Sequence, residues 1–139
     1  LGVVICFEVA YDSIVRDTVA AGARVLVVQT NNATYGGTSQ LAQQVNMSRV
    51  RAVEFGIPVL VAATSGVSAV VDPDGSLRSS LEDGDSGVLR AEVAVPDGVT
   101  VASRIGAFVE VALVVAALAS VVVAVIMSAR RSRRSDQPS

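Results

Sequence analysis

The 139 residues suffice for one domain, and a composition that is 51% hydrophobic, with a mean hydropathy of +0.55, exceeds what an ordinary soluble domain carries. One cysteine, no histidine and no lysine exclude an intrachain disulfide, histidine-dependent triads, histidine metal ligands and any lysine chemistry supplied from within these residues. The net charge of −2 hides an asymmetry: Arg130, Arg131, Arg133 and Arg134 against Asp136 leave the last ten residues at about +3 and the first 129 at about −5, so the body is not expected to bind nucleic acid.

The sequence opens at Leu1, almost inside a strand, and reads as the C-terminal part of something longer. Val3, Val4 and Ile5 form an apolar run that ends at Cys6 and is followed by Phe7 and Glu8. Two readings fit that placement. A free cysteine is commonly a small buried hydrophobe. At a strand tip before a turn and a helix it can instead be a nucleophile that attacks an acyl group and holds it as a thioester.

A short helix is predicted over Ser13 to Ala21, with Asp12 or Ser13 as N-cap, Ile14, Val15 and Val19 as its apolar stripe, and Gly22 as a left-handed stop. Arg24 to Val28 reads as a second strand, continuous in its apolar character and therefore covered on both faces. The polar, glycine-bearing stretch Thr30 to Thr38 is a loop leaving the C-terminal end of that strand, where α/β proteins gather ligand-contacting groups. A longer helix, Ser39 to Phe55, presents Leu41, Val45, Ala52 and Phe55 on one face and ends at Gly56 and Pro58.

Val59 to Ala63 is a third buried strand. Ser68 to Val71 and Leu77 to Leu81 flank Asp72-Pro73-Asp74-Gly75, a tight-turn tetrapeptide, and so form a β-hairpin. A last strand is expected from Gly87 to Val95, ending before Pro96-Asp97-Gly98. This alternation of strands and helices predicts an α/β layered domain.

Ala107 to Ala129 changes regime: 23 residues hold one charged member, Glu110, and as a helix would span about 34 Å, enough for the hydrocarbon core of a bilayer. The arginines beyond Met127 put that end in the cytoplasm by the positive-inside rule, and the α/β domain on the opposite face. Three segments are therefore expected: an extracytoplasmic domain over 1–104, a transmembrane helix over 105–129 and a basic cytoplasmic tail over 130–139. Neither a metal nor an organic cofactor is implied, because ligand clusters and phosphate-cradling glycine motifs are both missing from the sequence.

Four blocks occur in order over about seventy residues: Ile5-Cys6-Phe7-Glu8; Thr30 to Gly36; Asn46 to Glu54, reading NMSRVRAVE; and Ala63 to Gly75, reading ATSGVSAVVDPDG. Together they resemble the second half of the nitrilase-like (carbon-nitrogen hydrolase) domain of the apolipoprotein N-acyltransferases. The apolar helix and basic tail are also similar to the C-terminus of that family.

The resemblance implies the C-terminal half of an α-β-β-α sandwich followed by one transmembrane helix, in a multi-pass protein of the cytoplasmic membrane. It implies transfer of a fatty acyl chain from a phospholipid donor to the N-terminal cysteine amine of a diacylated apolipoprotein acceptor. A Glu base, a Lys and a Cys nucleophile would act through a thioester. Cys6 matches the family's nucleophile, Glu8 matches the glutamate of its Cys-aromatic-Glu motif and supports the site, and the backbone N–H of Phe7 could donate to the oxyanion. Asn31, Asn32 and Tyr35 lie on the loop that the family sets beside the acyl pocket, although asparagines there also serve turn chemistry.

Phe7 stands where tyrosine is common in the family, and Thr34 and Asn32 stand where many members carry an aromatic and an acidic residue. The family's base and lysine lie upstream of the cysteine, so residues 1–139 alone are expected to be inactive. Two other readings are compatible with the residues: a membrane-tethered amidase or nitrilase-type hydrolase with water as acceptor, and a catalytically silent, membrane-anchored binding domain.

Overall fold

Three parallel strands set the direction of the domain, and their C-terminal ends meet at one edge. The computed structural model describes residues 1–106 and 108–135. Residues Leu1–Arg104 form one compact unit and those from Ile105 onward a second. In the first, β1 (Gly2–Ile5), β2 (Leu26–Thr30), β3 (Val59–Ala63), β4 (Ser68–Val71) and β5 (Leu77–Leu81) form a five-stranded sheet in sequence order. The β1–β2 and β2–β3 pairs are parallel; β3–β4 and β4–β5 are antiparallel.

Helix α1 (Asp12–Ala20) connects β1 to β2, and α2 (Gln40–Phe55) connects β2 to β3. Parallel neighbours need such crossovers. Val15 and Val19 of α1 and Val45, Ala52 and Phe55 of α2 join Val4, Leu26, Val28, Val59 and Val61 in one core. Helix α2 ends as its sequence predicts: Gly56 adopts φ 65 and its N–H returns to the Ala52 carbonyl.

Strand β3 and the hairpin occupy their expected residues. Strand β2 does not: it runs from Leu26 to Thr30 instead of Arg24 to Val28, because its extent follows its partner, with Leu26 opposite Val59 and Thr30 opposite Ala63. It is also not covered on both faces. Burial alternates along β1 and β2, with Val4 and Val28 enclosed while Val3 and Ile5 are 54% and 61% exposed, because both helices lie on one side of the sheet. The domain thus has two layers, one of helices and one of strands.

The strand expected over Gly87 to Val95 does not form. Gly87, Leu89 and Ala91 instead line a groove with Val27, Leu60 and Leu81. The capping of α1 also differs. Tyr11 is the N-cap and makes no side-chain cap bond, while the Asp12 carboxylate, expected to cap, pairs with Arg16 at 2.9 and 3.0 Å. Ile14 is more exposed than its two partners in the stripe.

A short helix that the sequence did not signal, α3 (Val101–Ile105), follows Thr100, whose hydroxyl accepts from the Ser103 N–H as an N-cap. That hydroxyl also donates to the Glu54 carbonyl, and Arg16 donates to the Ser103 carbonyl at 3.0 Å. Ile105 therefore ends α3 and does not open the apolar span.

The second unit contains helix α4 (Phe108–Ser135). Its stretch Phe108–Met127 has a mean hydropathy of 2.8 and is exposed throughout, and its 20 residues give a length of about 30 Å, the thickness of a bilayer's apolar core. The helix continues through residues 130–135, the first part of the expected tail. Residues 136–139 lie outside the described residues.

Candidate active site

Cys6 is the sole non-glycine residue with positive φ among the described residues, at 51°. An L-residue in that region bears strain of about 1–3 kcal/mol, which persists only where the surroundings impose it. Here β1 ends at Ile5 and a 3₁₀ turn begins at Cys6 and runs to Ala10, so extended chain gives way to a turn at the sulfur-bearing residue. The thiol is partly buried and unpaired with any other sulfur.

Three contacts hold this turn. The Glu8 carboxylate accepts the Ile5 N–H at 2.6 Å, which is the half of a capping box available when the N-cap is an isoleucine with no side-chain acceptor. Val9 is completely buried in the core. Arg51, reaching across from α2 with its side chain 12% exposed, donates to the carbonyls of Val9 at 2.9 Å and Ala10 at 2.8 Å. Its remaining donor is shared between Glu54 at 2.5 Å and Asp12 at 3.3 Å. Burial pushes the Asp12 carboxyl upward in pKa, but the hydrogen bond and charge of Arg16, together with Arg51, outweigh it and hold Asp12 below the ordinary carboxylate range.

Beside the turn lies a cavity of about 440 Å³ whose lining includes Cys6, Phe7, Asn32, Tyr35, Gln44 and Met47. Sequence-expected residues thus converge at the C-terminal ends of β1 and β2. Phe7 stacks edge to face on Tyr11 with ring centroids 6.0 Å apart. Tyr35 is 41% exposed, in a 3₁₀ turn over Ala33–Tyr35. Asn31 is not in the cavity wall: its side-chain oxygen accepts the Ala33 N–H at 3.1 Å, the turn chemistry open to it from the start. Glu8 is likewise outside the wall, occupied with Ile5.

Asn32 is 5% exposed and bonded on all sides. Its N–H goes to the Ser65 carbonyl at 3.0 Å, its Oδ1 accepts from the Thr30 hydroxyl at 3.0 Å, and its Nδ2 donates to Gln44 Oε1 at 2.5 Å. Gly66 is what lets it sit there. A Cβ at Gly66 would stand 3.0 Å from both Asn32 Cβ and Nδ2, and Gly66 has φ 103. Gln44 Nε2 lies 3.2 Å from Thr30 Oγ1 and 3.7 Å from Cys6 Sγ. Among the described residues it is the sulfur's one hydrogen-bond partner.

Thr30, Gln44 and Arg51 were missed by the sequence reading. A signal for Gln44 existed: with Leu41, Val45, Ser48, Ala52 and Phe55 it occupies the buried face of α2, so a long amide interrupts an apolar stripe at helical spacing. Chemically, the site offers a thiol on a strained turn, an adjacent backbone N–H, an amide donor on the sulfur and an open cavity beside them.

The family model for carbon-nitrogen hydrolases matches residues 1–102, the whole of the sheet and both packed helices. The chain belongs to the carbon-nitrogen hydrolase family. Within it, the chain is 36% identical over 134 residues to the apolipoprotein N-acyltransferase of Mycolicibacterium smegmatis, a match covering 96% of this chain and 22% of that protein. It is 34% identical over 102 residues to the apolipoprotein N-acyltransferase of Shewanella oneidensis, covering 73% of this chain and 20% of the other.

The chain thus spans about a fifth of the length of these curated relatives. The crystal structure of a carbon-nitrogen hydrolase from Helicobacter pylori superposes with a TM-score of 0.53 at 18% identity, over 60% of this chain and 36% of that one. At that identity the likeness establishes the shared fold, and it bears out the nitrilase-like α/β architecture expected from the sequence.

Proposed function

We propose that these residues are the nucleophile-bearing part of a membrane-bound apolipoprotein N-acyltransferase, and that Cys6 carries the acyl group. The observation that supports this most strongly is the left-handed Cys6, held at the end of β1 and facing a cavity, in a chain 36% identical to a protein of that name.

In this reading the Cys6 thiolate attacks the carbonyl carbon of a phospholipid acyl ester. The carbon–oxygen bond of the ester breaks, the lysophospholipid leaves with the proton taken from the thiol, and a thioester remains on the sulfur. The backbone N–H of Phe7 stabilises the tetrahedral oxyanion. In the second half-reaction the α-amine of a diacylated lipoprotein's N-terminal cysteine attacks the thioester and gives up a proton to the base, an amide bond forms, the carbon–sulfur bond breaks and the thiolate is released. Asn32 and Tyr35 border the space the acyl chain enters, and Glu8 keeps Cys6 in its turn.

The reaction needs a proton acceptor and a cation facing the sulfur. In the acyltransferase resemblance these are a Glu and a Lys that precede the cysteine, so the reading assigns them to the portion of the relatives' length that residues 1–139 do not span. Helix α4 crosses the membrane, with its Arg130 to Arg134 end in the cytoplasm and the α/β domain on the other side.

The test is acylation of a diacylated lipopeptide by membranes containing the full-length protein. Cys6→Ser abolishes N-acylated product while the protein remains folded in the membrane. Retained transfer in that variant removes Cys6 from its role.

A further inference from the structure

We propose that Gln44 is a catalytic hydrogen-bond donor to the Cys6 sulfur, with Thr30 and Asn32 as positioning residues that lock its amide in the donating sense. The proposal rests on the reading of Cys6 as the nucleophile, and it assigns a role to a residue that no motif marked.

The sense of the amide follows from the arrangement of donors and acceptors. The Thr30 hydroxyl has one hydrogen, which it gives to Asn32 Oδ1 at 3.0 Å; Asn32 Nδ2 then donates to Gln44 Oε1 at 2.5 Å. With its oxygen occupied, Gln44 presents Nε2 on the other side. There one hydrogen reaches Thr30 Oγ1 at 3.2 Å and closes the ring, and the second points to Cys6 Sγ at 3.7 Å. Turning the Gln44 amide over alone would lose its bonds to Asn32 and Thr30 and set its oxygen against the sulfur; only a concerted reversal of Gln44, Asn32 and the Thr30 hydroxyl keeps the ring, and a thiolate facing the Gln44 oxygen disfavours that sense. All three side chains are buried, at 6%, 5% and 8% exposure, which strengthens the bonds among them.

The chemical consequence depends on the charge of the sulfur. A thiol is a weak acceptor, whereas a thiolate accepts a charge-assisted hydrogen bond, so a fixed N–H selectively stabilises the anion. The amide does not itself titrate and takes no proton from the thiol. It favours the anion as nucleophile in the first half-reaction and again as leaving group when the amine displaces it from the thioester. A ring whose members turn only together supplies this with little reorganisation at each step.

The test is the pH profile of Cys6 alkylation by iodoacetamide in the full-length protein, followed by mass spectrometry of the Cys6 peptide. Gln44→Met, which keeps the length and loses the donor, is expected to slow alkylation at pH 7 about tenfold and move the profile about one unit to higher pH. Thr30→Val, which matches threonine in shape and leaves Gln44 free to turn, shifts it in the same direction. Thr30→Ser, which keeps the hydroxyl, moves it less than Thr30→Val. Profiles unchanged in both Gln44→Met and Thr30→Val overturn the proposal. Alkylation needs neither phospholipid nor amine, so shifted profiles beside a wild-type protein that forms no acyl thioester fault Cys6 as acyl carrier and leave the Gln44 donor standing.

Discussion

The Arg51 guanidinium donates to the Val9 carbonyl at 2.9 Å, across 42 positions of sequence, and thereby ties helix α2 to the turn that carries the thiol. Its contacts to Ala10, Glu54 and Asp12 make it a fork inserted between the turn, α2 and α1. Arg51→Met leaves two carbonyls without their donor and Glu54 with only the longer contact to Arg16 at 3.4 Å, and is expected to destabilise the protein by about 3 kcal/mol. Arg51→Lys costs about 2 kcal/mol, since one ammonium cannot span the fork. Thermal unfolding in detergent measures both. A lysine variant as stable as wild type contradicts the account.

Glu8 is expected to act on the turn and not on the substrate, because its carboxylate is engaged with the Ile5 N–H. Glu8→Ala removes the acceptor and lowers the acyl-transfer rate by about 10- to 100-fold through misplacement of the sulfur. Glu8→Gln still offers an oxygen and loses much less. Initial rates on a lipopeptide acceptor separate the two, and a glutamine variant as impaired as the alanine one would assign Glu8 a role that depends on its charge.

Asp12 makes the domain acid-sensitive. Its pKa in the folded protein is lowered, so the stability it contributes is present above its unfolded value of about 3.9 and is lost as pH falls through the folded value. Solvent screening at a side chain 45% exposed keeps the contribution to about 1 kcal/mol or less. Asp12→Asn is therefore expected to be less stable than wild type at pH 7, with the difference shrinking below about pH 4. Unfolding midpoints of both proteins from pH 7 to pH 3 check this; a gap that widens on acidification contradicts the assignment.

Where local chemistry decided the structure, the sequence was readable. Val59 to Ala63 is an apolar run bounded by a proline and by polar residues, and Pro73 and Gly75 fix the hairpin turn, so both elements match their expected limits. Where a distant partner decided, it was not. Gln29 and Thr30 look like loop residues but are strand because Ala62 and Ala63 pair with them, while Gly87 to Val95 has strand composition and no ladder. The site divides in the same way. Cys6 at a strand tip is a local signal, and Asn32 and Tyr35 follow from the loop after β2. Gln44 meets the sulfur through the α2 crossover, a contact 38 residues apart that no spacing rule foretells.

The central claim, that Cys6 carries the acyl chain, is tested most directly by mass spectrometry of the Cys6 peptide from full-length protein incubated with phospholipid and no amine acceptor. The account predicts a peptide heavier by one fatty acyl group, cleaved by hydroxylamine and discharged when a diacylated lipopeptide is added. An unmodified Cys6 in a protein that goes on to acylate the lipopeptide would contradict it.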